Sequence, residues 1–454
     1  MKEQTTKYAA TRFERISYDM FFTGQNIIFM VLSTFIGVYY MGTLGIPATV
    51  VAAILLFARI WDAFMDPLLA TIIEKSKLKS GKFRPWVMMA AISVPLLTVL
   101  CFSFTNFLID QSLTVRIIYA SITYFIWGTL YAAADAPAYA LSTAMTPIPE
   151  ERNLLLTYNK LTGLLGVIIG MAVFPTILNA TNNNYFISVL IMSVIAFLTM
   201  ILIRFTKERV KQEGSSHPTV GEIFKSVIGN KYLVVIVLVG LIANGANFAM
   251  TLTPLVASDI YGDPTKVSLM LGIGIIPMLL VAPLSPLLIR KFGKKNLAMF
   301  SFAATAIFSL LIFFLARDNF SLFLVLSLVR GLLSAPFIIV SALFFTDCIE
   351  YDDYTNGKRF EAVTFAAQTF MSKLVGAISG GVGMWIIGIA GYKAAVAGET
   401  VTQTPAALNA LWAAMNLGAA VGSIIAIIIM IKFYHLTEDK VKMMIQSNLQ
   451  RVKA

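Results

Sequence analysis

The sequence predicts an all-α integral membrane protein with twelve transmembrane helices in two six-helix halves. Three observations predict it. First, hydrophobic residues make up 58% of the 454 and charged residues only 13%, with a mean hydropathy of +0.79, whereas soluble domains are about a quarter charged. Second, apolar stretches run unbroken for the roughly 20 residues that cross a hydrocarbon core as helix. Third, matching segments recur in the same order in the two halves. A membrane β-barrel would instead show short alternating segments.

Taken in order, the apolar runs are 16–41, 47–73, 85–106, 114–143, 158–178, 185–205, 232–258, 266–289, 296–316, 320–346, 362–391 and 407–434. The longest polar stretch, TKERVKQEGSSHPTVGEIFKSVIGNK, separates the sixth from the seventh. The expected division is therefore a bundle at 1–205, a linker at 206–231, a bundle at 232–435 and a tail at 436–454. The N-terminus is polar and basic and has no cleavable signal pattern.

Lys and Arg set the orientation. With the N-terminus cytoplasmic, the opposite loops hold only Arg116, Lys266, Arg317 and Lys393. Arg59, Lys160, Arg330 and Lys373 fall inside spans, and the remaining basic residues lie on the cytoplasmic side. Both termini are thus expected inside. The same asymmetry accounts for the net charge of +11 without a nucleic-acid partner. Cys101 and Cys348 lie in or beside apolar runs and imply neither a disulfide framework nor a metal cluster.

The repeats support duplication of a six-helix unit. Asp66-Pro67-Leu68-Leu69 in the second span corresponds to Ser285-Pro286-Leu287-Leu288 in the eighth. Basic turns follow both, at Gly81-Lys82-Phe83-Arg84 and Arg290-Lys291-Phe292-Gly293-Lys294-Lys295. Ala136-Pro137 corresponds to Ala335-Pro336, and Arg152 precedes Thr157-Tyr158 as Arg359 precedes Thr364-Phe365. This is the organisation of the major facilitator class, with substrate held near the midplane.

Charge inside a span is costly and marks function or pairing. Asp62 and Asp66 are i, i+4 on one helix face, and Arg59 lies one turn before Asp62. A structural Arg59–Asp62 pair is one reading. The repeat counts against it, because the equivalent positions are Val281 and Ser285. Two carboxylates on one face can hold a cation or share a proton. Asp135 follows Trp127 and Tyr131 and precedes Pro137, which loosens the helix near the acid. Acid and rings together suit a polyhydroxylated ligand, although pairing with Lys160 or Arg59 is the alternative. Lys373 has no local partner, so Asp62, Asp66 and Asp135 are the candidates. Lys160 lies nearer a membrane face and can snorkel. Asn26 is either a ligand contact or an interhelical hydrogen bond. No partner for Arg330 is evident. The segment DCIEYDDYTNGKRFEA (347–362) reads as a charged cytoplasmic loop whose acids meet basic turns as a gate, with Asp352 and Asp353 solvated.

At these residues the chain resembles the glycoside–pentoside–hexuronide:cation symporters, the family of melibiose permease. ARIWDAFMDP, SGKFRPW, DAPAYALSTAM and DCIEYDDYTNGKRFEAVTFAAQTFMSK occur in the family's order and span nearly the whole chain. The resemblance implies a sugar:cation symporter of the bacterial cytoplasmic membrane. It implies cation-coupling roles for Asp62, Asp66 and Lys373, with Asp62 and Asp66 as metal ligands if the ion is Na+. It implies substrate binding by Asn26, Asp135, Tyr139 and Lys160. Arg59, Asp347, Glu350, Arg359 and Glu361 are expected to support or gate. Asn26 stands where melibiose permease has its galactoside-binding acid, which favours the pentoside or hexuronide branches. Met65 and Ala132 replace polar residues beside the acids. Sodium wants several oxygen ligands, so the sequence favours H+. No cofactor, nucleic acid or obligate protein partner is expected beyond the sugar and the bilayer.

An intramembrane enzyme is disfavoured, since His217 and His435, the only histidines, lie outside the spans. No nucleotide-binding signature points to ATP. A lipid or lysolipid transporter on the same scaffold is the alternative.

Overall fold

The computed structural model describes residues 8–76, 78, 81–210, 228–274, 276–281, 284–357, 361–394 and 401–453. These fall into two compact units. One lies within Met1–Val50, Trp61–His217 and Ala394–Val401, the other within Val51–Ile60, Pro218–Lys393 and Thr402–Ala454.

The first unit is organised around α1 (Arg12–Gly42). It contains most of α2 (Ala48–Lys75), then α3 (Arg84–Cys101), the short α4 (Thr105–Ile109), α5 (Leu113–Met145), α6 (Pro149–Ile168), α7 (Phe174–Ala180) and α8 (Tyr185–Met200). A capping box starts α1: Thr11 accepts from the Glu14 N–H, and Glu14 accepts from the Thr11 N–H. This pairing satisfies donors that a helix start leaves open. A π-helical turn at Ile169–Val173 joins α6 to α7. It lies just before Pro175, which cannot donate to the helical ladder.

α1 packs against α6 and α8. Small residues allow the close approach. A methyl on Gly166 would come 2.2 Å from the Thr23 carbonyl oxygen, and one on Gly24 would come 2.5 Å from the Ala196 carbonyl oxygen. The Thr162 hydroxyl donates to the Asp19 carbonyl at 2.7 Å, and the Thr23 hydroxyl to the Thr162 carbonyl at 3.0 Å. Small residues and hydroxyls are the usual means of joining helices where no hydrophobic force acts between them.

The second unit contains α9 (Lys231–Gly245), α10 (Ala249–Asp259), α11 (Lys266–Gly272), α12 (Ile276–Val281), α13 (Ser285–Phe292), α14 (Lys294–Leu315), α15 (Phe320–Asn356), α16 (Glu361–Ile389), α17 (Pro405–Phe433) and α18 (Glu438–Lys453). α14 packs on α15 and α17, and α9 on α16 and α17. Here too glycine admits backbone: a methyl on Gly422 would lie 2.7 Å from the Ile242 carbonyl oxygen. The segment Val51–Ile60 of α2 groups with this unit, and Gly381 of α16 faces Ala52 and Leu56.

Among the described residues, ten helical segments are long and apolar enough to cross a membrane. The other two expected spans are not among the ten. Span 47–73 is the 28-residue α2, which is about 42 Å long at 1.5 Å per residue. Span 266–289 is described as three short helices, α11, α12 and the start of α13, with a turn at 273–274 after the first. The seventh span is itself broken, at Ala246–Phe248 between α9 and α10.

Two expectations need correction. The segment from Asp347 is not a loop: α15 continues to Asn356, and Gly357 closes it in the left-handed conformation, φ 66°. Asp352 and Asp353 are not solvated; each is buried, at 6% and 7% exposure. The apolar turns continue past the expected span end, so Cys348 and Ile349 are buried as Phe344 and Phe345 before them are.

Candidate substrate and coupling site

In the first unit, α2 and α5 bring Asp62 against Gly128. Asp62 is 7% exposed, and a methyl on Gly128 would sit 3.0 Å from its Oδ1. Glycine therefore makes the space that the carboxylate fills. Trp61 donates to the Thr129 hydroxyl at 3.0 Å, fixing the same helix pair. Arg59 is half-buried on α2. Asp66 follows Asp62 by one turn of α2; its side chain lies outside the described residues. Met65 and Ala132 both pack on an apolar cluster of Leu69, Ile73 and Ala133. Among the described residues no group of three or more His, Cys, Asp or Glu is arranged to hold a metal.

Asp135 is half-buried on α5. Its Oδ1 accepts from Gln25 Nε2 of α1 at 3.1 Å. The sequence reading named Lys160 and Arg59 as its alternatives and missed Gln25, although a second polar residue beside Asn26 in an apolar run was the available signal. Upstream on α5, Tyr131 stacks on Trp127 at 5.0 Å and meets Phe29 at 5.7 Å. Downstream, Tyr139 is 47% exposed and lies 5.1 Å from the Phe22 ring. Asn26 donates through Nδ2 to the Phe22 carbonyl at 2.8 Å, so a ligand hydroxyl would meet its amide oxygen. Its side chain lies where Gly163 of α6 leaves room. Lys160 is exposed on α6. Asp135, Gln25, Asn26 and Tyr139 thus come from two helices joined by one hydrogen bond. The arrangement offers acid, amide and ring surface, the chemistry that hydroxyl-rich ligands use.

Lys373 is half-buried on α16 of the second unit. In that unit Asp347 accepts from Lys294 Nζ at 2.6 and 2.5 Å, so the expected meeting of an acid with a basic turn is present. Glu350 accepts from Asn448 Nδ2 at 3.2 Å, and Asp353 pairs with Arg451. Arg359 lies outside the described residues, as does the side chain of Glu361, the first residue of α16. Arg330, for which the sequence suggested no partner, donates to the Ser309 hydroxyl at 3.1 Å. Asn244 precedes the break between α9 and α10 and Asn247 lies within it, accepting from the Ala249 N–H at 3.3 Å. The run IANGAN was the sequence signal for this break, and the span reading passed over it.

The family profile described as "MFS/sugar transport protein" matches residues 18–438. The chain belongs to that family. The transporter is 29% identical to the uncharacterized symporter YjmB of Bacillus subtilis, over 96% of this chain and 95% of that one. It is 26% identical to the isoprimeverose transporter of Lactiplantibacillus pentosus, over 88% and 85%. Its fold is similar to the crystal structure of the nucleoside transporter NupG, with a TM-score of 0.66 at 15% identity, covering 93% of this chain and all of the other. The transporter is therefore a multi-pass α-helical membrane protein of a sugar-transport family, similar to bacterial inner-membrane symporters, and not an enzyme.

Proposed function

We propose that the transporter is a proton-coupled symporter that takes up a glycoside, pentoside or hexuronide by alternating access. In this reading twelve helices form two six-helix halves, 1–205 and 232–435. The linker 206–231, the tail 436–454 and both termini are cytoplasmic. Asp62, Asp66 and Lys373 are the cation-coupling residues. Asp135, Asn26, Tyr139 and Lys160 contact the sugar. Arg59, Asp347, Glu350, Arg359 and Glu361 support or gate.

The observation that carries H+ over Na+ is the apolar packing beside the acids. Met65 and Ala132 lie on the Leu69–Ile73–Ala133 cluster, where a sodium cage would need oxygen. A carboxylate in such surroundings needs only a proton to become neutral. Linkage then makes sugar and ion affinities depend on each other. The names of relatives that carry isoprimeverose and glucuronide fit a sugar or uronide substrate.

The test is uptake by Asp66→Asn in reconstituted vesicles. Loss of accumulation with retained exchange is expected; normal accumulation against a gradient would overturn the coupling role. A thermal-shift screen of xylosides, glucuronides, galactosides and lysolipids, at two pH values with and without Na+, assigns the substrate. A response to lysolipids alone would replace the sugar reading.

A further inference from the structure

At one corner of the first unit three chain segments meet: the start of α1, the segment 81–84 that opens α3, and the 3-10 turn Ile201–Phe205 that follows α8. The Arg204 guanidinium lies over the Phe205 ring, 4.7 Å from its centroid. Phe205 packs in turn on Phe13 at 5.1 Å. Arg84 donates through Nη2 to the Arg204 carbonyl at 2.5 Å. Lys82 lies 5.5 Å from the Phe83 centroid. The three helical segments that end here are each long and apolar enough to cross a membrane, so the corner lies at the depth of lipid headgroups.

The corner carries unbalanced positive charge. Among the described residues Lys82, Arg84 and Arg204 pair with no acid side chain. The nearest carboxylate, Glu208, is taken up by the Lys82, Phe83 and Arg84 N–H groups. Glu14 is held by Arg209 at 2.7 Å. Beside these charges Phe13, Phe205 and Ile16 are exposed. Membrane orientation needs only that basic residues lie on one side. It does not require a cation set against an exposed ring, with its backbone pinned by a second cation.

The second unit repeats the device with other residues. α17 ends in Lys432-Phe433, where Lys432 Nζ is 5.6 Å from the centroid of an exposed ring. Lys295 donates to the Tyr434 carbonyl at 2.5 Å, as Arg84 does to that of Arg204. Glu438 accepts the Lys294 N–H at 2.6 Å, as Glu208 accepts that of Arg84. Lys432 also pairs with no acid among the described residues.

Guanidinium and ammonium groups suit a phosphate. Exposed rings at the membrane boundary suit the glycerol and upper chains of a lipid. A free anion would use the charges alone, whereas a headgroup with its chains attached meets both. We propose that the Arg84–Arg204–Phe205 corner binds the phosphate of an anionic phospholipid, and that the Lys432–Phe433 corner is its counterpart in the second unit. The charges hold the phosphate, and the rings lie against the lipid below it. This goes beyond the symport reading and depends on neither the sugar nor the coupling ion.

The test counts the lipid retained by full-length protein in detergent, by native mass spectrometry, with dioleoylphosphatidylglycerol or dioleoylphosphatidylcholine added. Wild type is expected to prefer phosphatidylglycerol by about fivefold or more, less so as salt rises. Arg204→Gln and Lys432→Gln are each expected to weaken phosphatidylglycerol binding at their own corner by about fivefold. The double variant loses the preference, and Arg204→Lys keeps it. Lys442→Gln removes the same charge from α18 and leaves binding unchanged. Unfolding midpoints in lipid-free detergent verify that each variant is folded. An equal loss in Lys442→Gln would reduce the effect to net charge and overturn the site. Displacement of the lipid by inorganic phosphate would make the ligand a free anion and overturn it as well. So would a wild-type preference in the folded double variant.

Discussion

Glu208 closes the first turn of α3: its carboxylate accepts the Arg84 N–H at 2.7 Å, together with those of Lys82 and Phe83 at 2.8 Å. In the second unit, Glu438 accepts the Lys294 N–H at 2.6 Å at the start of α14. Each acid lies beside a glycine of positive φ, Gly81 at 126° and Gly293 at 75°. Each follows the last long helix of its unit. The basic turns already match as repeats in the sequence, and the acids that hold them are repeated too. A carboxylate satisfies the orphan donors of a helix start and meets the positive end of its dipole. Glu208→Ala is expected to destabilise by about 1–2 kcal/mol. The midpoint of thermal unfolding in detergent measures it, with Glu208→Gln falling between the two. No change in midpoint would show that water replaces the cap.

The Gln25–Asp135 hydrogen bond orients the acid assigned to the sugar. A hydrogen bond to a charged group contributes about 1.5–3 kcal/mol. Gln25→Ala is therefore expected to lower substrate affinity by about ten- to a hundredfold. Isothermal titration separates this from a transport defect. Unchanged affinity would mean that Asp135 is held by other contacts.

Helix approach makes a separate prediction. Gly166→Ala sets a methyl 2.2 Å from the backbone of Thr23, which no side-chain motion relieves. It is expected to cost about 1–3 kcal/mol by overpacking and to displace Asn26, whose Cβ is 3.0 Å from the same point. Gly376→Ala is the control: nothing lies within 4 Å of its added methyl, so removing helix-interior glycine is expected to stabilise by about 0.5–1 kcal/mol. Thermal unfolding of the two variants side by side decides the matter.

The C-terminal segment, expected as a tail, contains α18. Val441 and Met444 join the core cluster of the second unit. Asn448 and Arg451 bind the end of α15. Removing residues 438–454 is expected to lower the unfolding midpoint more than Arg451→Ala, because it also exposes two apolar side chains worth about 1.5–3 kcal/mol each and uncaps α14. Equal midpoints would show that α18 only rests on the surface.

What the sequence by itself determined is whatever depends on local composition and period. Membrane residence follows from the long apolar runs. The candidate acids stand out because charge is rare where every neighbour is apolar. The repeat of basic turns is visible as letters. The partners of those acids were not legible, because hydrogen bonds form between residues far apart in the chain. Gln25 and Asp135 are separated by 110 positions, Glu208 and Arg84 by 124. The stretch of α15 beyond residue 346 departs from the expected loop because its acids find partners. Asp352 and Asp353 look solvent-seeking as letters, yet Asn356, one turn on, pairs with the first and Arg451, far along the chain, with the second, and those partners remove the need for water. Only the tertiary structure decided which charges are buried and which neighbours pair with them, since burial and pairing are properties of packed neighbours and not of the local chain.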